Sequence, residues 1–264
     1  MARSRGEKDL GPAGRLPTWA VRLLCVAFWL VVWELAARAI DASIVLVGPL
    51  EVAGHLVSLS LTGEFWASLG ISLARVLAGL AAGVVAGVAL AALSSRVRVV
   101  RELVAPVMSA AKAVPVASFV ILVLLWVPSR GLSTVIALVM ALPIVYTNAL
   151  EGIRQTDPAL LEMAEVFGVR PLERVRLVYL SQVLPYLRAG FSLALGMSWK
   201  AGVAAEVIGL PDLTVGEHLY DAKVYLNTAD LFAWTVAVVA VSVCLEALVG
   251  RALDAAVKRW EARP

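Results

Sequence analysis

From end to end the chain alternates between long apolar runs and shorter polar connections. Six runs approach the length of a membrane span, near residues 19–40, 68–93, 104–127, 131–151, 184–208 and 229–250. A helix of about 20 apolar residues, rising about 1.5 Å per residue, crosses the hydrocarbon core of a bilayer. The pattern therefore predicts an all-α, polytopic membrane protein with about six transmembrane helices. Composition agrees: 61% of the 264 residues are hydrophobic and 16% are charged, against about 45–50% and about 25% in an ordinary soluble domain. A soluble fold of this size could not hide so much apolar surface. No Pro-, Gly- or Ser-rich linker divides the chain, so residues 1–264 read as one transmembrane domain. The first run follows Arg3, Arg5, Lys8 and Arg15, as a signal peptide would. It is longer than the apolar core of such a peptide, about 7–15 residues, and a retained helix is expected.

Charge orients the spans. The net charge is only +3, but its distribution is strongly patterned. The N-terminus is basic, 41–67 holds acids and no Lys or Arg, and the next connection carries Arg96, Arg98 and Arg101. Arg130 stands alone in the following one. The stretch 152–183 carries Arg154, Arg170, Arg174 and Arg176, 209–228 is mainly acidic, and the C-terminus is basic again. By the positive-inside rule both termini and the segments 94–103 and 152–183 are cytoplasmic. The expected layout is a cytoplasmic tail at 1–18, a cytoplasmic loop at 152–183 and a second tail at 251–264, in a protein of the cell's inner membrane.

Within the spans, Gly79, Gly83, Gly87 and Ala91 recur every four residues and share one helical face, where small side chains permit close backbone approach. Pro115, Pro128 and Pro143 interrupt the middle spans. Cys25 and Cys244 lie in apolar runs and read as small buried hydrophobes. His55 and His218, far apart in polar stretches, read as solvated side chains, and no metal site is expected. Lys200 lies about sixteen residues into the fifth span, roughly 24 Å from its cytoplasmic start, and Glu206 follows near the outer interface. Ionisable groups at membrane depth face a protein interior or a watery cavity. Lys200 and Glu206 thus either line a translocation pathway, with the lysine attracting an anion, or serve structure, the lysine through an ion pair with Glu206 or Glu34 or by snorkelling outward. About 240° of helix rotation separates the two, which disfavours a direct pair.

The most charged internal stretch, from Glu162 to Leu187, is EMAEVFGVRPLERVRLVYLSQVLPYL. Asp157 is placed to cap a helix whose first residue is Pro158. Leu160, Met163, Ala164 and Phe167 then fall on one side and Glu162 and Glu165 on the other. Gly168 is placed to end the helix in a left-handed conformation, and Pro171 starts a basic segment. That second half suits anionic headgroups. The acidic first half would be repelled by them and is better suited to docking another protein.

Glu162-Met163-Ala164, three residues and Gly168 resemble the EAA-x3-G cytoplasmic loop of ABC-importer permeases. Val178 to Ser181 stand where that family continues with I-x-L-P, so Met163 replaces Ala and Ser181 replaces Pro. The segments SLARVLAG (72–79), KAVPVASFVILVLLWVPSRG (112–131), ALEGIRQTDPALLEMAEVFG (149–168) and WKAGVAAEVIG (199–209) are similar to the nitrate/sulfonate/taurine-type permeases. The resemblance implies the ABC-importer permease fold and a subunit that forms the pathway for a small solute. It implies a second permease copy, a cytoplasmic ABC ATPase docked on the loop from Asp157 to Gly168, and an external binding protein that delivers substrate. ATP and Mg would be held by the ATPase and no cofactor by this chain, which lacks a Gly-x4-Gly-Lys-Ser/Thr loop. Lipid is an expected partner and nucleic acid is not. The implied substrates are sulfonates, nitrate-like anions or vitamin precursors. A self-contained secondary transporter or channel is the alternative. It would call for matched broken spans or a proton relay, of which the sequence shows no sign.

Overall fold

A computed structural model describes residues 17–261, so most of the expected N-terminal tail lies outside the described residues. They form eleven α-helices: α1 (Thr18–Ile40), α2 (Pro49–Ser60), α3 (Gly63–Arg96), α4 (Arg98–Ala113), α5 (Val116–Val123), α6 (Ser129–Arg154), α7 (Pro158–Val166), α8 (Pro171–Arg174), α9 (Leu180–Gly209), α10 (Val215–Val224) and α11 (Thr228–Glu261). A π-helical turn, Val175–Tyr179, joins α8 to α9.

Five segments are long and apolar enough to cross a membrane, and α4 with α5 make a sixth only if counted together. The run at 104–127, read as one span, is broken by a bend of 108°. Proline 115 has no N–H to donate and crowds the residue before it out of the helical region. Val114 accordingly adopts φ −71° and ψ 127°. The connections at 41–67 and 209–228 contain α2 and α10. Helix α11 continues into the expected C-terminal tail as far as Glu261.

Helix α6 is the axis of the bundle and packs along both α3 and α9. Half of its most apolar stretch is buried, whereas that of α1 is 0% buried. The glycine face of α3 makes the α3–α6 contact: Gly79, Gly83, Gly87 and Ala91 are all buried. A Cβ at Gly79 would overlap the Thr134 carbonyl oxygen, and one at Gly83 would stand 2.7 Å from Ala141 Cβ. Ser198 on α9 donates to the Ala137 carbonyl of α6 at 3.0 Å. The Trp199 indole donates to the Val238 carbonyl of α11 at 3.0 Å and joins Val76, Ala137, Val203, Val215 and Trp234 in the main core cluster.

The cysteine and histidine readings also change. Cys25 on α1 and Cys244 on α11 are exposed. His218 stacks on Trp234, ring centroids 4.5 Å apart, with Nε2 2.8 Å from Ser68 Oγ. His55 Nδ1 is 2.8 Å from Asp230 Oδ1. The imidazoles therefore tie α2 to α11 and α10 to α3 and α11.

The α3–α6 contact yields a direct expectation. Gly79→Val forces the two backbones apart, and overpacking of this kind costs about 1–3 kcal/mol. Gly70→Ala, with nothing within 4 Å of the added atom, should cost little. Thermal denaturation of the two purified variants in detergent measures the difference.

Candidate functional site

Three parts of the molecule bear on function. The first is the projection formed by α7, α8 and the π turn. Asp157 Oδ1 accepts from the Ala159 amide at 2.8 Å, and its own amide donates to Gln182 Oε1 at 2.8 Å. The capping residue thus fixes the entry of α7 and ties it to α9. At the exit, Gly168 has φ +65°. Its amide donates to the Glu165 carbonyl at 3.0 Å and that of Val169 to the Ala164 carbonyl at 2.9 Å. These two bonds form the glycine-ended Schellman cap. Arg174 reaches Glu165 at 3.7 Å and braces α8 against α7.

The apolar side of α7 does not all pack inward. Ala164 is buried, but Met163 is 50% exposed and Phe167 77%, with Glu162 and Glu165 exposed beside them. Exposed large apolar side chains rimmed by charges mark a protein contact. Asp157, Glu162, Met163, Ala164, Glu165, Phe167 and Gly168 therefore form one projecting unit, in which Ala164 is the inward anchor.

The second part is the outer corner between α9 and α10. Glu206 is 0% exposed. Its Oε2 accepts from Ser72 Oγ of α3 at 2.7 Å, and that hydroxyl oxygen accepts from the Val215 amide at 3.0 Å. The Glu206 carbonyl accepts from Leu210 at 2.8 Å, which ends α9 in a left-handed residue. Thr214 caps α10 by accepting from the Glu217 amide at 3.3 Å. Glu206 Oε1, Ser133 Oγ and Arg75 Nη1 are buried nearby without a hydrogen-bond partner among the described residues. Sequence reasoning left Glu206 open between a pathway and a structural role; in this fold it is buried in the bundle and bonded to the serine that holds the start of α10. Ser72 and Arg75 were visible in SLARVLAG, but nothing local to that stretch points to a carboxylate 134 residues away.

The third part is the uncovered face of α9. Lys200 is exposed there, in line with Leu193 and Met197, which are 57% and 41% exposed. It makes no hydrogen bond or ion pair among the described residues. Glu34, one candidate partner, pairs instead with Arg38 at 2.7 Å, and Glu206 points the other way. The structure thus separates the two ionisable residues that the sequence grouped.

The described residues thus form a helical bundle with segments long and apolar enough to cross a membrane and a projecting α7–α8 pair beside basic connections. Comparison with known proteins gives the class. Residues 79–261 match the family described as binding-protein-dependent transport system inner membrane component, and the chain belongs to that family. It is similar to the aliphatic sulfonates transport permease protein SsuC of Escherichia coli, 31% identical over 248 residues that cover 90% of each chain. Its namesake in Bacillus subtilis is 26% identical, covering 92% of this chain and 86% of the relative. The taurine transport system permease protein TauC of Escherichia coli is 25% identical, covering 97% and 94%. The chain is a multi-pass inner-membrane permease subunit of an ABC importer.

The α9–α10 corner gives its own prediction. Glu206→Gln keeps an acceptor for Ser72 and should be tolerated. Glu206→Leu strands the Ser72 hydroxyl and should cost about 1–3 kcal/mol, the price of an unsatisfied buried polar group. Denaturation midpoints of the two variants, with protease sensitivity of the 209–228 segment as a local readout, check the order.

Proposed function

We propose that this permease works as one transmembrane domain in a pair of identical copies, and that the pathway runs between them along the uncovered face of α9. The observation that carries this reading is Lys200, an exposed ammonium at membrane depth with no partner among the described residues. In hydrocarbon such a group is costly. Against a second copy across a water-filled path it is solvated and can attract an anion. The substrate class follows: a small organic anion such as a sulfonate, in keeping with the relatives named for sulfonates and taurine. An external solute-binding protein delivers it.

The drive comes from a cytoplasmic ABC ATPase, which holds ATP and Mg and receives the α7 projection in a cleft. Exposed Met163 and Phe167 supply apolar anchors, Glu162 and Glu165 the charged rim, and Asp157 and Gly168 the fixed angle of presentation. Closure of the ATPase on ATP then moves α7, and the hydrogen bond from Asp157 to Gln182 of α9 passes that movement into the bundle.

Two measurements test the two halves. Lys200→Ala should weaken apparent affinity for an anionic sulfonate in uptake assays about tenfold, the scale of one lost charge-assisted contact, with assembly intact. Lost assembly, restored by a compensating carboxylate change, would show a structural lysine instead. Gly168→Val places a β-branched residue at positive φ, which it strongly resists. It should insert normally, yet lose ATPase co-purification or substrate-stimulated hydrolysis. Glu162→Ala should be milder, because an exposed charge contact is weak. Wild-type behaviour of Gly168→Val in both assays removes α7 as the coupling element.

A further inference from the structure

At the end of the bundle that carries the basic connections lies a cavity of about 510 Å³, within the range of ligand pockets, about 300–1,000 Å³. Three helix ends each bring one arginine to it: Arg96 from α3, Arg101 from α4 and Arg154 from α6. Neither Arg96 nor Arg154 makes a hydrogen bond or ion pair among the described residues. Arg101 reaches only the adjacent Glu102, at 3.7 Å, and that carboxylate is 64% exposed. No buried carboxylate among the described residues offsets these three charges. Guanidinium groups are planar forks matched to phosphate oxygens.

The rest of the cavity has a different character. Val88 on α3 and Val183 and Leu187 on α9 line it with apolar surface. Val88 stands about two helical turns, roughly 12 Å, further into the membrane than Arg96. The cavity is therefore amphipathic along the membrane normal, cationic at headgroup depth and apolar above. A free inorganic anion would use only the arginine end.

We propose that this cavity binds an anionic phospholipid of the cytoplasmic leaflet, its phosphate held by Arg96, Arg101 and Arg154 and the upper part of an acyl chain lying against α3 and α9. The assignment rests on the cytoplasmic orientation given by the charge pattern, and is independent of the ATPase and substrate. Leu161, Val175 and Tyr179 close the cavity from the α7 side. The lipid consequently touches both the bundle and the projecting helices, and its presence favours the spacing between them seen here.

Native mass spectrometry of the full-length chain in detergent, titrated with phosphatidylglycerol and with phosphatidylcholine of the same acyl chains, tests this. The expected result is retention of phosphatidylglycerol about tenfold stronger or more, since each basic residue near anionic lipid contributes appreciably. The preference should vanish in the Arg96→Gln, Arg101→Gln, Arg154→Gln triple variant and survive in Arg251→Gln, which lies outside the cavity. Ala92→Trp, which fills the cavity with every charge kept, should lose binding too, and decides the matter if the triple variant misfolds. Equal retention of both lipids, preference unchanged in the cavity variants, or displacement by excess inorganic phosphate overturns the proposal. So does loss of the lipid when the ATPase subunit binds and cross-links to Arg154, an outcome that gives the arginines to a protein partner.

Discussion

Hydrocarbon supplies no water to a polar group, and this one constraint explains most of the molecule. Each backbone N–H and C=O within the bilayer needs a partner from the protein itself, so the spans are helices and every irregularity is locally repaired. In the basic 152–183 segment, expected outside the bilayer, the π turn at Val175–Tyr179 shows a similar local repair. Ser181 Oγ lies 3.0 Å from the Leu177 carbonyl and 2.9 Å from that of Val178, contributing a donor where the helix is widened. A proline at 181, as in the family's loop pattern, could not do this, so the departure from that pattern has a structural role.

The same constraint shapes the tertiary contacts. Between helices in lipid there is little hydrophobic gain, and close packing has to hold them. Helix α6 meets this need by lying against a glycine face on α3 and, through Ser198 and neighbouring small residues, against α9. Polar side chains are admitted where they tie one element to another. Ser72 and Glu206 join α3, α9 and α10, and Trp199 joins α9 to α11. Lys200 stands apart from this rule, which is why it directs attention to a neighbour or to water.

Much of this was readable in the sequence because its signals are local. Apolar run length marked the spans, the four-residue glycine spacing marked the α3 face, and Asp157, Pro158 and Gly168 marked the start and end of α7. What escaped notice depends on distance or on direction. Hydropathy does not separate a lipid-facing position from a protein-facing one, so Cys25 and Cys244 were placed inside when they face out. The run at 104–127 was read as one span interrupted by Pro115; the size of the bend escaped notice, because Val, Leu and Ile look alike on either side of that proline. His55, His218 and Glu206 each find their partners far along the chain, and no local pattern announces an imidazole stacked on Trp234.

The π turn has a consequence of a torsional kind. One residue more than a regular α-helix requires shifts angular phase by about 100°. The cytoplasmic end of the long α8–α9 rod is thereby rotated relative to the part that crosses the bilayer. The direction in which α8 leaves and the direction in which Lys200 faces are thus offset, although one continuous helical segment connects them. Changes within this short widened turn would rotate α8 against the uncovered face of α9, while the Asp157–Gln182 bond keeps the start of α7 in step with α9.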